Sequence, residues 1–428
     1  MEELGLLDDA GLRRWAREHG GEAAALLAAS MRGSRGAAGE FASALEHLSP
    51  SRRRADVATV AGLWFALPLG LRQEWTVRYP GVIGPLNGVD FPSRVRANII
   101  VAAGLLHQLT AEAEDAKSRG FWGTLRRGLR AAFRVGHVRR QLDGLHQAVH
   151  REDAPIQLLF ASDEADGQFV VLSGELSDAT RTVAVMVPGT LTYGNHLAMN
   201  IGRLRDVDGR EVHPDTAVGL YWQGTEFPRF VTDNADRRFN RAARERLSAF
   251  DAALDLEAER VCTPGAAPAP QTYIGHSYGA SAIGSAESLG EGLTLDRLVY
   301  VGAPGTGFQV DLPADTANPD ADRYALVAPA DLTPWLGGAL FGRALGGDPV
   351  REMGAVRLET GFLDHAGRRQ RLVSHNDYLR GGSTSALNIR AVVLGQRTLP
   401  AVVGRPWPWG RISDRRLARR INGLRLPR

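Results

Sequence analysis

Gly275-His276-Ser277-Tyr278-Gly279 is the stretch of this sequence whose residue types could do chemistry at a single atom. A serine hydroxyl is a weak nucleophile unless it stands clear of the backbone and a base removes its proton. A sharp strand-to-helix turn meets the first condition, and it needs small residues two positions to either side; Gly275 and Gly279 occupy those places. The lead-in at 272–274 is β-prone, and 279–289 is a run of mostly small residues suited to a helix, so the turn is expected where strand meets helix. The chemistry would be acyl transfer through a covalent serine intermediate. The competing reading is a turn serine that supports a βα connection and reacts with nothing.

A base, an acid and an anion-binding pair would complete such a site. His375, in Val373-Ser374-His375-Asn376-Asp377-Tyr378, stands in a polar loop before a final helix and is the candidate base; His365 is the alternative. His276 adjoins Ser277, but its side chain should diverge from the serine, so it is read as a structural hydrogen-bonding group. Asp331, just past the β-prone 324–328 run, is the candidate acid, with Asp348 and Asp364 as alternatives. The helix after Ser277 turns its free N–H groups toward the site, which makes the Tyr278 N–H one donor to a tetrahedral oxyanion. A second is expected from Val187-Pro188-Gly189-Thr190-Leu191, at the Thr190 N–H; an ordinary Pro-Gly turn is the alternative there.

No cofactor and no metal are expected. There is no Gly-x-Gly-x-x-Gly after the first strand, no phosphate-binding loop with its lysine and no His-Glu-x-x-His pair. The single cysteine, Cys262, excludes an intramolecular disulfide and a cysteine-based cluster.

These residues need a scaffold, and the pattern after about residue 155 supplies one. Strands are predicted at 169–172, 182–187, 217–222, 272–274, 298–301, 324–328 and 356–359, with helices at 240–259, 279–289 and 384–394. Several of the strands are apolar on both faces, so the expected fold is α/β: a mostly parallel central sheet flanked by helices, with an N-terminal helical region. Ligands then belong at the carboxyl ends of the strands. Three regions follow: 1–150, a helical region with a structured linker; 151–400, the catalytic domain; and 401–428, an Arg-rich tail.

In the first region Ser93 is read as the cap of a helix whose Val95, Ile99, Ala102, Leu106 and Leu109 share a face. A basic amphipathic helix is predicted over 122–149, and 70–98 reads as an irregular linker because of its Gly and Pro. Both helices should pack as a layer on the α/β unit, with a membrane surface or a homodimer as the alternative partner of their apolar stripes. The apolar run 57–71 is too short to cross a bilayer and is interrupted by Gly62, Pro68 and Gly70, so it should be buried.

Composition adds little more. With 44% hydrophobic and 23% charged residues in a chain of 428, a folded, soluble protein is expected. The net charge of +3 comes almost wholly from Arg, since Lys117 is the only lysine. Residues 405–428 hold eight Arg against Asp414, a tail read as solvated or meeting an anionic surface; no signature of specific nucleic-acid binding accompanies it. The start, Met1-Glu2-Glu3-Leu4, is no secretory signal, which makes the cytoplasm the default expectation without excluding non-standard export.

Taken together, Gly275-His276-Ser277-Tyr278-Gly279, Val187-Pro188-Gly189-Thr190 and Ser374-His375-Asn376-Asp377-Tyr378 resemble an actinobacterial α/β-hydrolase family classed as a domain of unknown function. The resemblance begins near Gly84-Pro85-Leu86-Asn87-Gly88 and Arg94-Val95-Arg96-Ala97-Asn98 and runs to about residue 395. It implies a nucleophile, acid and base at Ser277, Asp331 and His375, the chain order of that fold. The substrate expected is a small or lipid-like carboxylic ester. A thioesterase or acyltransferase with the same triad, or a degenerate fold used as a binding module, are the alternatives. The loop 302–308 and the segment 335–341 are the candidate walls of an acyl pocket.

Overall fold

A computed structural model describes residues 2–32, 54–120, 143–146, 150, 156–288, 292–328, 331–333, 342–363 and 374–401. Eight strands form one sheet: β1 (Gln157–Ser162), β2 (Gln168–Ser173), β3 (Thr182–Val187), β4 (Ala217–Gln223), β5 (Gln271–His276), β6 (Arg297–Val301), β7 (Asp322–Leu326) and β8 (Val356–Leu358). Their order is β1-β2-β4-β3-β5-β6-β7-β8. β2 runs antiparallel to both β1 and β4, and every pairing from β4 to β8 is parallel. The strands β2 to β5 are buried along their whole length, which is why β2 to β4 are near-continuous apolar runs rather than alternating ones.

Eleven helices are described. In the N-terminal part these are α1 (Glu2–Leu6), α2 (Asp9–Glu18), α3 (Gly20–Arg32), α4 (Arg54–Ala66), α5 (Leu69–Arg78), α6 (Pro80–Ile83) and α7 (Phe91–Gly120). Around the sheet they are α8 (Leu197–Val207), α9 (Arg237–Val261), α10 (Tyr278–Glu287) and α11 (Thr384–Val393). Parallel neighbours need crossovers, and α8, α9 and α10 provide them between β3, β4, β5 and β6. Val183, Val185, Leu220 and Tyr273 bury one sheet face against Phe239, Leu247 and Ile283 of α9 and α10. Ala184, Met186, Tyr221 and Ile274 bury the other against Ile201, Ile389 and Val392 of α8 and α11.

The long helix α7 carries α2, α3, α5 and α6 on its flank and lies against β1. Its predicted stripe packs as expected: Val95, Ile99, Ala102 and Leu109 are buried and Leu106 is partly so. The predicted cap does not hold. The helix starts at Phe91, and the Asp90 carboxylate accepts the Ser93 N–H at 2.9 Å, so Ser93 lies inside the first turn. Arg94, 1% exposed, ties this layer to the sheet by donating from Nη2 to the Leu159 carbonyl of β1 and from Nε to Gly84 O. Burial lowers its pKa to about 10.

Two further expectations change. Residues 70–98 are not wholly irregular, because α5 and α6 occupy much of them; Pro68 precedes α5, and Pro80 sits in the first turn of α6, where proline is tolerated. The edge strand β1 and the helix α8 had no prediction. In the run 57–71, Val57, Val60 and Trp64 are buried, while Leu69 is 61% exposed. No single helix among the described residues is long and apolar enough to cross a membrane, and the α4–α5 pair, apolar by composition, is bent by 116°. The helix predicted over 122–149 falls mainly outside the described residues, apart from buried Leu145 and its neighbours. His365, Asp364, the segment 335–341 and the tail beyond Ala401 also lie outside them.

Candidate active site

At the end of β5 the chain turns into α10 within one residue. Ser277 adopts φ +54° and ψ −126°, a backbone conformation that costs a non-glycine residue energy and persists only when its surroundings hold it. Here they do. The Ser277 N–H donates to Val301 O of β6 at 2.8 Å, and α10 begins at the next residue. A Cβ on Gly275 would overlap the Ala280 backbone, and one on Gly279 would overlap the carbonyl oxygens of Val187 and Pro188. The two predicted glycines are therefore required by close approach.

β3 lies between β4 and β5, so the chain leaves β3 toward one side and β5 toward the other, opening a crevice at their carboxyl ends. The loop after β3 closes on the serine there: a Cβ on Gly189 would stand 2.7 Å from Ser277 Cβ. Thr190 and Tyr278 both present backbone N–H groups with no hydrogen-bond partner among the described residues. The neighbouring Leu191, at φ +64°, is committed elsewhere, donating its N–H to Pro228 O at 2.9 Å. Two side chains hold the loop: Thr190 Oγ1 donates to Asn234 Oδ1 at 2.7 Å, and Thr192 Oγ1 donates to Gly189 O at 2.7 Å.

His375 and Asp331 meet across the ends of the last strands. Nδ1 of His375 is 2.8 Å from Asp331 Oδ2, and Tyr378 Oη donates to the same oxygen at 2.8 Å. The Thr333 N–H donates to Oδ1 at 2.9 Å. The Asp331 side chain is only 2% exposed. Burial acts to raise its pKa, but the hydrogen bonds from His375, Thr333 and Tyr378 outweigh it and hold the carboxylate below its usual value. Gly302, at φ +57° beyond β6, makes room for the pair; a Cβ there would lie 3.0 Å from Asp331 Oδ2 and 3.1 Å from His375 Cε1.

Ser277 and His375 line one cavity of about 340 Å³, together with Thr190, Asn200, Arg203 and Asn234. No hydrogen bond joins Ser277 Oγ to His375 in this arrangement. His276 acts as the structural hydrogen-bonding group expected of it: its Nε2–H donates to the His375 carbonyl at 2.8 Å. Burial and the neighbouring His375 push its pKa down to about 3, which keeps it neutral.

The alternative acid is placed differently. Asp348 Oδ1 accepts the N–H groups of Val350 and Arg351, so its carboxylate caps its own turn. Of the predicted acyl-pocket loop 302–308, Ala303 and Pro304 line a separate cavity of about 880 Å³ beside Asp331, and none of that loop lines the cavity holding Ser277. Among the described residues no cluster of three His, Cys, Asp or Glu could hold a metal. Tyr378, Asn200, Asn234 and Arg203 carried no predicted role, and Gly302 was expected only as part of the 302–308 pocket wall. Only Tyr378, within the His375 motif, had a signal in the sequence.

No protein-family model matches the chain. It is similar to two curated sequences of Mycobacterium tuberculosis, uncharacterized protein Rv2079 of strain H37Rv and uncharacterized protein MT2140 of strain CDC 1551, each 25% identical over 313 residues. The match covers 68% of this chain and 43% of each relative. No solved structure matches.

Proposed function

We propose that this protein is a serine hydrolase of the α/β-hydrolase class that cleaves a carboxylic ester through Ser277, His375 and Asp331. The observation that carries the reading is the positive-φ turn of Ser277 between β5 and α10, opening on the same cavity as a histidine already paired with a buried aspartate. With His375 Nδ1–H donating to Asp331, Nε2 keeps the lone pair that accepts a proton from Ser277 Oγ. Oγ then bonds to the substrate carbonyl carbon, and the carbonyl oxygen takes the negative charge between the Thr190 and Tyr278 N–H groups. The protonated His375 returns its proton to the departing alkoxide as the ester C–O bond breaks, leaving the acyl group on Ser277. A water, deprotonated by the same histidine, repeats the sequence and releases the acid. Catalytic hydrogen bonds often tighten only with substrate bound, so a Ser277–His375 bond is expected to form at that stage.

The test is hydrolysis of a panel of activated esters of increasing acyl length by the wild-type chain beside Ser277→Ala. Turnover of at least one ester that disappears in the variant supports the proposal. Equal turnover by both overturns it.

A further inference from the structure

The cavity in front of Ser277 has an unusual charge balance. Asn200, Asn234, Thr190, Thr192 and Asn376 contribute neutral polar groups, and no Asp or Glu is among the described residues lining it. Arg203, from the second turn of α8, is its cation, and it enters no ion pair among the described residues. Burial lowers the Arg203 pKa from its ordinary value, against the pull of Tyr221 and Asp377, yet a guanidinium starts so high that it stays charged.

A chain of buried polar groups holds this cation in place. Arg203 Nη1 donates to Asn200 Oδ1 at 3.2 Å, Asn200 Nδ2 donates to Tyr221 Oη at 3.0 Å, Tyr221 Oη donates to Gln223 Oε1 at 2.7 Å, and Gln223 Nε2 donates to Gly167 O at 2.9 Å. Asn200 is 4% exposed, Tyr221 0% and Gln223 1%. Buried polar groups are costly unless they are satisfied, and here each link of the chain has a partner. The far end of the relay is a backbone carbonyl; the near end is a cation lining the cavity that Ser277 also lines. The second arm of Arg203, Nη2, donates to Asn376 O at 3.1 Å, next to His375.

Resting on the hydrolase reading above, we infer that the substrate is an anionic ester, carrying a carboxylate or similar oxyanion near the scissile carbonyl, and that Arg203 binds that charge. A guanidinium matches a carboxylate in shape and charge. Anchoring the His375 turn alone would need one neutral donor and no buried relay. A neutral ester would enter the cavity without discharging the cation.

Three substrates separate the cases: 4-nitrophenyl butyrate, which is neutral, mono-4-nitrophenyl glutarate, charged on the acyl side, and 4-carboxyphenyl acetate, charged on the alcohol side. Binding is measured calorimetrically to Ser277→Ala, where no turnover intrudes, and kcat/KM is measured on the wild type. At least one charged ester should bind about tenfold or more tightly than its neutral counterpart, and which one does so assigns the side. Adding Arg203→Gln should abolish that preference, while Arg203→Lys should retain part of it. A displaced His375 turn would lower kcat/KM for charged and neutral esters alike, so the ratio between them reports the charge contact. Equal binding of charged and neutral esters to Ser277→Ala, or a preference that survives Arg203→Gln, overturns the inference. Failure of a fluorophosphonate to label wild-type Ser277 would instead remove the hydrolase reading, and the binding ratios would still decide whether the cavity selects anions.

Discussion

His375 and Asp331, 44 residues apart in the chain, are joined by a 2.8 Å contact between Nδ1 and Oδ2. The contact orients the imidazole. Replacing Asp331 by Asn leaves the shape but presents an amide, and the wrong histidine tautomer follows. Asp331→Asn is expected to lower ester turnover by at least about tenfold while the protein stays folded by circular dichroism. Asp348→Asn, which touches only its own turn, should do much less. The reverse order of effects in kinetics would reassign the acid.

Tyr378 holds that aspartate from the other side. Its hydroxyl accepts the Ala328 N–H at 2.8 Å and donates to Asp331 Oδ2, so Tyr378→Phe removes both bonds and leaves a buried N–H unmet. The expected destabilisation is about 1–3 kcal/mol in denaturant unfolding, with a loss of turnover smaller than that of Asp331→Asn. Unchanged stability and turnover would mean that the hydroxyl does no work at the site.

The Ser277 turn and its strand–helix setting were legible because local sequence dictates them: β-prone residues, two glycines and a run of small helical residues are contiguous. The strands β2, β3, β4 and β6 were legible for the same reason, as apolar runs of strand length, while β7 was expected at 324–328 and lies at Asp322–Leu326. What escaped depends on contacts across the fold. Arg203 and Asn234 reach the cavity from segments with no motif of their own, and α8 was missed because its sequence, Leu-Ala-Met-Asn-Ile-Gly-Arg-Leu-Arg-Asp-Val, carries a glycine and an asparagine that weaken helical patterning. The edge strand β1, Gln-Leu-Leu-Phe-Ala-Ser, is apolar over four residues, but only three of its six are buried, so its pattern is neither continuous nor strictly alternating. Ser93 misled because Asp90, three residues earlier, caps as well as serine does.

Behind the site, Arg323 of β7 grips Glu287, the last residue of the helix that begins after Ser277. The carboxylate accepts from Nη2 at 2.5 Å and from Nη1 at 3.0 Å, and the two side chains are 3% and 0% exposed. Removing one partner strands a buried charge, so Glu287→Ala should destabilise the fold by about 3–5 kcal/mol. Chemical denaturation measures this directly; a loss below about 1 kcal/mol would show that water reaches Arg323.

Asp208 gives a pH signature. It is 0% exposed, its Oδ1 accepts the Arg210 N–H at 2.9 Å, and its Oδ2 has no hydrogen-bond partner. Burial pushes its pKa up to about 7. The folded state therefore keeps a proton that the unfolded chain releases near pH 4, and the resulting stability is full below that pH and lost as pH rises through about 7. Asp208→Asn removes this dependence. Relative to wild type, the variant should gain stability between pH 4 and pH 8 by up to about 4 kcal/mol. A difference between the two proteins that stays flat with pH would contradict the assignment.

The central claim is that the Ser277 hydroxyl is an activated nucleophile, and covalent labelling tests it most directly. A fluorophosphonate probe, followed by peptide mapping, should modify wild-type protein at Ser277, give no adduct with Ser277→Ala, and react more slowly with His375→Ala. Modification at another serine with Ser277 untouched, or no modification of the folded wild-type protein, would contradict it.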